Sequence, residues 1–237
     1  MAETYIRTVD LCRYYHRGQS TVQALDHVSI GVLRGEFLGV VGSSGSGKTT
    51  LLNLLAGLDT PTSGMVDLAG VPLSSMTRRQ RSAYRATTIG MIFQSFNLIS
   101  HYTAVQNVET ALYFSDKSPS ERKRLAEDVL ERLGLADRMM HRPADLSGGE
   151  QQRVAVARAI VKTPSILFAD EPTGNLDFQN SADIGTLLKE LNRQGLTIVM
   201  VTHNLEMARQ ITDRTIKMQY GHVVEGGSAL PGGEVRP

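Results

Sequence analysis

The sequence is poor in cysteine, in net charge and in long apolar runs. Its 237 residues contain one cysteine, Cys12, so no internal disulfide and no cysteine-rich metal site can form. The formal net charge is only +1, and the basic stripe of a dedicated nucleic-acid-binding protein is missing. No run of ~18 apolar residues is present, and the N-terminus lacks the apolar segment of a signal peptide. We therefore expect a cytoplasmic protein with no nucleic-acid partner, whose only link to a membrane is through another protein.

The apolar segments that are present are short and alternate with helical patterns. Four of them end in polar or glycine-rich segments, as buried strands do; they span residues 37–41, 88–93, 166–169 and 197–201. Between them, Pro119 to Leu133 is typical of a helix, with Ser118 and Glu121 spaced as a capping box. This alternation predicts an α/β fold with a mainly parallel core sheet, which binds ligands beyond the carboxyl ends of its strands.

Three further regions complete the predicted organisation. Residues 24–32 show the alternation of a strand and favour an N-terminal antiparallel β subdomain. The stretch from about 95 to 164 has helical segments but no convincing strand, which indicates an inserted helical lobe. We expect one domain over residues 1–226 and a flexible tail over 227–237, because the tail is rich in glycine and proline and has little to bury.

A phosphate-binding loop follows the first buried strand. The segment GSSGSGKTT matches the pattern G-x-x-x-x-G-K-[ST] and leads into a helical pattern. We expect Lys48 to reach the β- and γ-phosphates and the Thr49 hydroxyl to ligate Mg²⁺. Alone, the motif indicates only a nucleoside triphosphate. The residues predicted to surround its phosphates are Gly42, Ser43, Ser44, Gly45, Ser46, Gly47, Lys48, Thr49 and Thr50.

Two acidic residues follow the strand at 166–169, directly before Pro172. Two neighbouring carboxylates at a strand end repel each other, so a bound cation would stabilise them. Asp170 suits Mg²⁺, held through water opposite Thr49, and Glu171 could polarise the water that attacks the γ-phosphate.

His203 and Gln94 also follow predicted strands, but their roles are open from the residues alone. His203 could sense the γ-phosphate, although a lone histidine is usually structural. Gln94 could bring its amide to Mg²⁺ or to the water, and it could equally be a polar surface residue.

The segment LSGGEQQRVAVARAI, residues 146–160, resembles the signature motif of the ABC ATPases. Its serine and two glycines open a helix, and this makes a second anion site. In the family, this second site acts on the nucleotide of the opposite subunit. The resemblance thus implies the ABC form of the P-loop NTPase fold, ATP hydrolysis, and a homodimer with ATP at its interface. The residues that would contact the partner's ATP are Ser147, Gly148 and Gly149.

The same resemblance assigns four more residues. Gln94 matches the Q-loop, with a role in metal binding and catalysis; His203 matches the catalytic switch histidine; and Asp177, in GNLD, matches the D-loop that contributes to the nucleotide site. Tyr15 best matches the aromatic residue that stacks on adenine, and Tyr14 is the competing candidate. Together with the assignments made above from the residues, catalysis is assigned to Lys48, Gln94, Glu171 and His203, and the metal to Thr49, Gln94 and Asp170.

Longer strings, such as IGMIFQSFNLISHYTAVQNVE and ADEPTGNLD, are similar to ATPases of the lipoprotein-release, macrolide-export and cell-division group, the LolD, MacB and FtsE types. The resemblance implies an integral-membrane permease in a separate chain, which holds this subunit at the cytoplasmic face of the cell membrane. We expect export or lipoprotein release; the alternative is a non-transporting signalling complex of the cell-division type. Residues 95–107 are expected to receive the permease, through Phe96, Leu98 and Ile99 if these are exposed.

Overall fold

The computed structural model describes residues 4–18 and 20–226, which form eleven β-strands and seven α-helices. None of these helices is long and apolar enough to cross a membrane. The tail predicted over 227–237 lies outside the described residues. The strands are β1 (Thr4–Arg17), β2 (Ser20–Val28), β3 (Gly31–Leu33), β4 (Phe37–Val41), β5 (Ser63–Leu68), β6 (Val71–Pro72), β7 (Ile89–Ile92), β8 (Ile166–Asp170), β9 (Thr197–Thr202), β10 (Arg214–Gln219) and β11 (His222–Glu225). The helices are α1 (Lys48–Leu55), α2 (Arg78–Thr88), α3 (Ala104–Glu109), α4 (Pro119–Arg132), α5 (Gly148–Ile160), α6 (Phe178–Arg193) and α7 (Leu205–Ile211).

The core sheet has the strand order β11-β10-β4-β9-β8-β7. Its strands from β10 to β7 are parallel, and β11 joins the edge antiparallel to β10. Strands β4 and β9 are buried along their whole length, because apolar clusters cover both faces of the sheet. All four predicted buried strands are confirmed. Strand β7 starts one residue later than predicted, because α2 continues through Thr88.

The predicted antiparallel subdomain is also confirmed, although its strand at 24–32 is interrupted. Strands β2 and β3 pair with different stretches of β1. The Thr8 hydroxyl donates to the Val28 carbonyl at 3.0 Å and accepts from the Ile30 amide at 2.9 Å. This side chain thus satisfies the backbone where pairing passes from one strand to the next.

The segment from 95 to 164, all of it described, contains α3, α4 and α5 and no strand, so the helical lobe is confirmed. Its own apolar cluster includes Val108, Leu130 and Val154. Only half of the predicted capping box of α4 forms. The Ser118 hydroxyl accepts from the Glu121 amide at 3.3 Å, but the Glu121 carboxylate pairs with the Lys117 ammonium at 3.1 Å instead.

Candidate nucleotide-binding site

The phosphate loop connects β4 to α1 and is held down by strand β2. Gly47 caps α1 with φ 100°, in the left-handed region that favours glycine. A Cβ atom at Gly47 would lie 2.4 Å from the Ala24 carbonyl oxygen. The close approach of β2 therefore requires glycine here, and it fixes the loop at the positive end of the α1 dipole.

Lys48 and Ser46 give this loop a set of donors that fits phosphate oxygens. The Lys48 side chain is buried, and its ammonium donates to the carbonyls of Gly42 and Ser43, both at 2.9 Å. Among the described residues, the buried Ser46 hydroxyl has no hydrogen-bond partner. A buried hydroxyl without a partner is costly, so an incoming acceptor oxygen would be stabilised here.

Thr49 and Asp170 form a pair of hard oxygen ligands beside the loop. The Thr49 hydroxyl donates to a carboxylate oxygen of Asp170 at 3.1 Å. Burial raises the pKa of Asp170; the Thr49 hydrogen bond opposes this shift, and the nearby charge of Glu171 adds to it. A cation at this point would offset the cost of the buried charge. Hydroxyl and carboxylate oxygens are ligands that Mg²⁺ accepts, so the pair fits the predicted metal.

Glu171 and His203 meet where β8 and β9 end. Glu171 has φ 46°, a strained conformation for a non-glycine residue, and its amide donates to the Val201 carbonyl at 2.9 Å. This turn directs the carboxylate to His203, whose amide donates to it at 3.3 Å and whose Nδ1 lies 3.0 Å from the same oxygen. The Glu171 side chain is 14% exposed and that of His203 is 66% exposed, so the histidine can still move.

Gln94 follows β7 and is attached to the segment after Glu171. Its carbonyl accepts a hydrogen bond from the Asn175 side-chain amide at 2.9 Å. A Cβ atom at Gly174 would lie 2.9 Å from the Gln94 side-chain nitrogen, so the absence of a side chain there leaves room for the amide. The hydrogen bond from Asn175 was not predicted, because the two residues lie far apart in the sequence and nothing in the sequence indicates that they meet.

These elements surround one cleft of about 650 Å³. It unites much of the predicted loop with Gln94, Glu171 and His203, while Asp170 is bonded to Thr49 at its border. The wall formed by β2 was not anticipated, since alternation predicts a strand but not what it covers. The lining residues are Val22, Gln23, Ala24, Ser44, Gly45, Ser46, Gly47, Lys48, Thr49, Thr50, Gln94, Glu171 and His203.

The start of α5, the second predicted anion site, lies apart from the cleft. Ser147 caps the helix: its hydroxyl accepts from the Glu150 amide at 3.3 Å, and the Glu150 carboxylate accepts from the Ser147 amide at 2.8 Å. That amide contact is the main reason that the pKa of Glu150 is lowered. Gly148 and Gly149 form the first turn of the helix. The described lining of the cleft includes none of Ser147, Gly148 and Gly149.

Asp177 caps α6 and lies next to this helix start. Its carboxylate accepts from the Asn180 backbone amide at 2.8 Å and from the Asn180 side-chain amide at 2.7 Å. A Cβ atom at Gly149 would come within 2.0 Å of the Asn180 side-chain oxygen. Asp177 and Gly149 are thus linked through one asparagine, and Asp177 too is absent from the described lining of the cleft.

Comparison with known proteins identifies the family of this chain. The profile of the ABC transporter family matches residues 25–174. The chain belongs to the ABC transporter family. Over 220 residues it is 44% identical to an uncharacterized ABC transporter ATP-binding protein of Methanocaldococcus jannaschii, covering 93% of this chain and 98% of that protein.

Two solved structures agree with this cassette along nearly its whole length. One is a dimeric post-hydrolysis state of the ATP-binding cassette MJ0796 bound to ADP and Pi, with a TM-score of 0.85 and 38% identity. The other is a dimeric structure of MJ0796, described as a bacterial ABC transporter cassette, with a TM-score of 0.85 and 39% identity. Both alignments cover 92% of this chain and 96% of the other. The predicted family and ABC ATPase fold are therefore confirmed.

The two candidate tyrosines of the cassette lie on opposite faces of β1. The Tyr15 hydroxyl donates to Asp59 at 2.8 Å, and the Tyr14 hydroxyl donates to Asp26 at 2.5 Å. Tyr15 pairs directly with Val22 and Tyr14 with Gln23, and both partners belong to the cleft wall. The described lining of the cleft includes neither tyrosine, so the choice of Tyr15 over Tyr14 stays a prediction.

Sequence reasoning missed Arg158, which holds the segment after Gln94. Its guanidinium donates to the Phe96 carbonyl at 2.6 Å and, through a short contact, to the Asn97 carbonyl. Phe96 and Asn97 both have left-handed backbone conformations, with φ 58° and 51°. The signal was available, because a lone arginine within the apolar stretch VAVARAI needs polar partners when it is buried. Arg158 thus ties the signature helix to the Gln94 segment.

Proposed function

We propose that the cassette binds Mg·ATP in the cleft, hydrolyses it, and thereby drives a separate integral-membrane permease. The observation that carries the proposal is that Lys48, Glu171 and His203 line one cleft, with the Thr49–Asp170 pair at its border. The solved dimer of MJ0796 contains ADP and Pi, which supports the same reaction in a similar chain.

The roles of the residues follow from their positions. Lys48 and the amides of the loop from Gly42 to Thr50 bind the phosphates, and Lys48 stabilises charge that develops on the γ-phosphoryl group. Mg²⁺, when bound, neutralises phosphate charge, and its protein ligands would be Thr49, Gln94 and Asp170. Glu171 orients the attacking water and accepts its proton, while His203 donates a hydrogen bond to the γ-phosphate. Tyr15 stacks on the adenine.

The second anion site belongs, in this proposal, to the ATP of another copy. Ser147, Gly148 and Gly149 offer a hydroxyl and helix-terminal amides but lie away from the cleft of their own chain. A head-to-tail homodimer would bring them over the partner's nucleotide and place Asp177 between the two sites. The dimeric structures of MJ0796 support this assembly.

The permease is proposed from the likeness to the LolD, MacB and FtsE group. It would hold the cassette at the cytoplasmic face of the cell membrane and perform export or lipoprotein release. Within the predicted docking segment, Ile99 is exposed, whereas Leu98 packs against the lobe cluster and Phe96 is half-buried. Contact with a permease would therefore rely on Ile99 more than on the other two. The residues that contact the membrane subunit would be the same in a transporter and in a signalling complex of the cell-division type.

Purification of the tagged cassette together with its membrane subunit would test this proposal. We expect Mg²⁺-dependent phosphate release that increases when the subunit is reconstituted in a bilayer. Vectorial movement of a compound or lipoprotein would identify a transporter, and ATP-dependent change in an extracytoplasmic partner without such movement would identify a signalling complex. The absence of hydrolysis by the cassette, alone and in the complex, would refute the proposal.

A further inference from the structure

A second group of potential ligands lies away from the cleft, at a β-bulge between β1 and β2. The ladder pairs Leu11 with Val28 and Arg13 with Leu25, so one residue of β1 faces two residues of β2. A bulge of this kind directs neighbouring side chains towards one another. The residues brought together are Cys12, Asp26 and His27.

The ligand atoms of these three residues are close. The Cys12 Sγ lies 3.8 Å from Asp26 Oδ1, the His27 Nδ1 lies 2.7 Å from the same oxygen, and all three atoms fall within 4.8 Å of one another. From β11, the Nε2 of a second histidine lies 3.7 Å from Asp26 Oδ2. The bulge cluster consists of Cys12, Asp26, His27 and His222.

One thiol, one carboxylate and two imidazoles are the ligand types that Zn²⁺ uses. Tetrahedral bonds of about 2.0–2.3 Å place ligand atoms roughly 3.3–3.8 Å apart. The distance of 3.8 Å from Cys12 Sγ to Asp26 Oδ1 agrees with that spacing, whereas His222 lies 3.7 Å from the other oxygen, Oδ2, and has to turn to reach the same ion. The His27 contact has to lengthen, and its side chain is 68% exposed, so it can turn without disturbing the core.

The cluster is reachable from solvent. A cavity of about 470 Å³ lined by Asp26, His27 and His222 opens onto it, whereas Cys12 itself is 1% exposed. Three of the four potential ligands therefore line an open cavity that a cation can enter.

We propose that the bulge cluster is a binding site for a transition-metal cation of the Zn²⁺ class. The ion would join the antiparallel sheet, through β1 and β2, to the edge of the core sheet at β11. The Asp26 amide donates to the Gly221 carbonyl at 3.0 Å, and the Gly221 amide donates to the Ser46 carbonyl at 3.1 Å. The site is therefore two backbone hydrogen bonds from the phosphate loop, and binding should stabilise that junction.

Titration of chelator-treated, nucleotide-free protein with Co²⁺ tests this site. Because Cys12 is the only cysteine, a thiolate-to-cobalt charge-transfer band can come from no other place in the chain. We expect such a band to saturate at one equivalent and to disappear when Zn²⁺ is added. Zn²⁺ should also raise the Tm of the wild-type protein.

Variants separate metal binding from folding. Cys12→Ser should lose the band, and His27→Asn and His222→Asn should each weaken Co²⁺ affinity by at least about tenfold. His27 and His222 are largely exposed, so their variants should fold even where Cys12→Ser does not. His101→Asn, an exposed histidine of the lobe, is the matched control and should bind as the wild type does. No band in the wild type, or affinity unchanged in both the His27 and His222 variants, would overturn the proposal.

Discussion

The starts of helices α1 and α5 both carry glycines, but they differ in their caps and in the side chains around them. Both present glycines and free amides at a helix N-terminus, the arrangement that binds anions. Around α1 the chain adds a buried lysine, the Thr49–Asp170 pair and the Glu171 carboxylate. Around α5 the acid of the first turn, Glu150, is used as a capping partner. In the proposed function, one chain therefore carries recognition and chemistry at the first site, but recognition alone at the second.

Lys48→Ala should produce the largest effect, because it removes the buried cation from the first site. We expect ATP hydrolysis to fall by about a hundredfold or more and ATP binding to weaken sharply. Phosphate release and nucleotide titration measure both quantities. Lys123→Ala, an exposed lysine on α4, controls for the loss of one positive charge. Wild-type turnover by Lys48→Ala would contradict the assignment of the loop.

Glu171→Gln should separate binding from chemistry at the same site. The amide keeps the size of the side chain and leaves Asp170 in place, so Mg·ATP should still bind while hydrolysis slows by about a hundredfold or more. Retained ATP should then hold two copies together by mass action.

Size exclusion with light scattering, in Mg·ATP and then in Mg·ADP, tests that expectation. The variant should be dimeric in ATP, and the wild type only transiently so. A variant that stays monomeric and hydrolyses ATP at the wild-type rate would remove Glu171 from its assigned role.

Gly148→Glu should disable the second site without affecting the first. A Cβ atom at Gly148 meets only Leu176, at 3.4 Å, whereas one at Gly149 would collide with Asn180. The Gly148 change is thus the cleaner test, and a charged side chain there should repel the partner's phosphates. We expect monomeric ATP binding to be unchanged and hydrolysis to be lost.

Mixing this variant with Lys48→Ala sharpens the result. A heterodimer of the two contains one composite site with both defects and one site with neither. Partial recovery of activity on mixing would support composite sites. Gly148→Glu protein that hydrolyses ATP normally would mean that α5 does not act on the partner's nucleotide.

The first site was predictable because its chemistry is local. The loop from Gly42 to Thr50 is contiguous, and Asp170, Glu171 and His203 follow apolar runs whose carboxyl ends must share one edge of a parallel sheet. Contacts between distant segments were not predictable. Examples are the approach of Ala24 to the loop and the bulge that turns Asp26 towards Cys12, which depend on pairing register rather than residue pattern.

The smallest predicted effect concerns the far end of α5, where Lys162 anchors the signature helix to α2. Its ammonium donates to the Arg85 carbonyl at 2.7 Å. Burial, and then the charge of Arg85, lowers the pKa of Lys162 from 10.5 to about 8. Between these values the unfolded chain binds more protons than the folded one, so this lysine makes the free energy of unfolding rise with pH.

Lys162→Met lacks that dependence. The free energy of unfolding of this variant, relative to that of the wild type, should be highest below about pH 8. At about pH 10 it should be lower by on the order of 1 kcal/mol, a small change because solvent still screens the ammonium. Urea unfolding of both proteins without nucleotide, at about pH 7.5 and about pH 9.5, measures the difference, with Lys123→Met as control. If the difference in free energy of unfolding between Lys162→Met and the wild type is the same at both pH values, Lys162 titrates normally. The α5 anchor would then rest on the hydrogen bond alone.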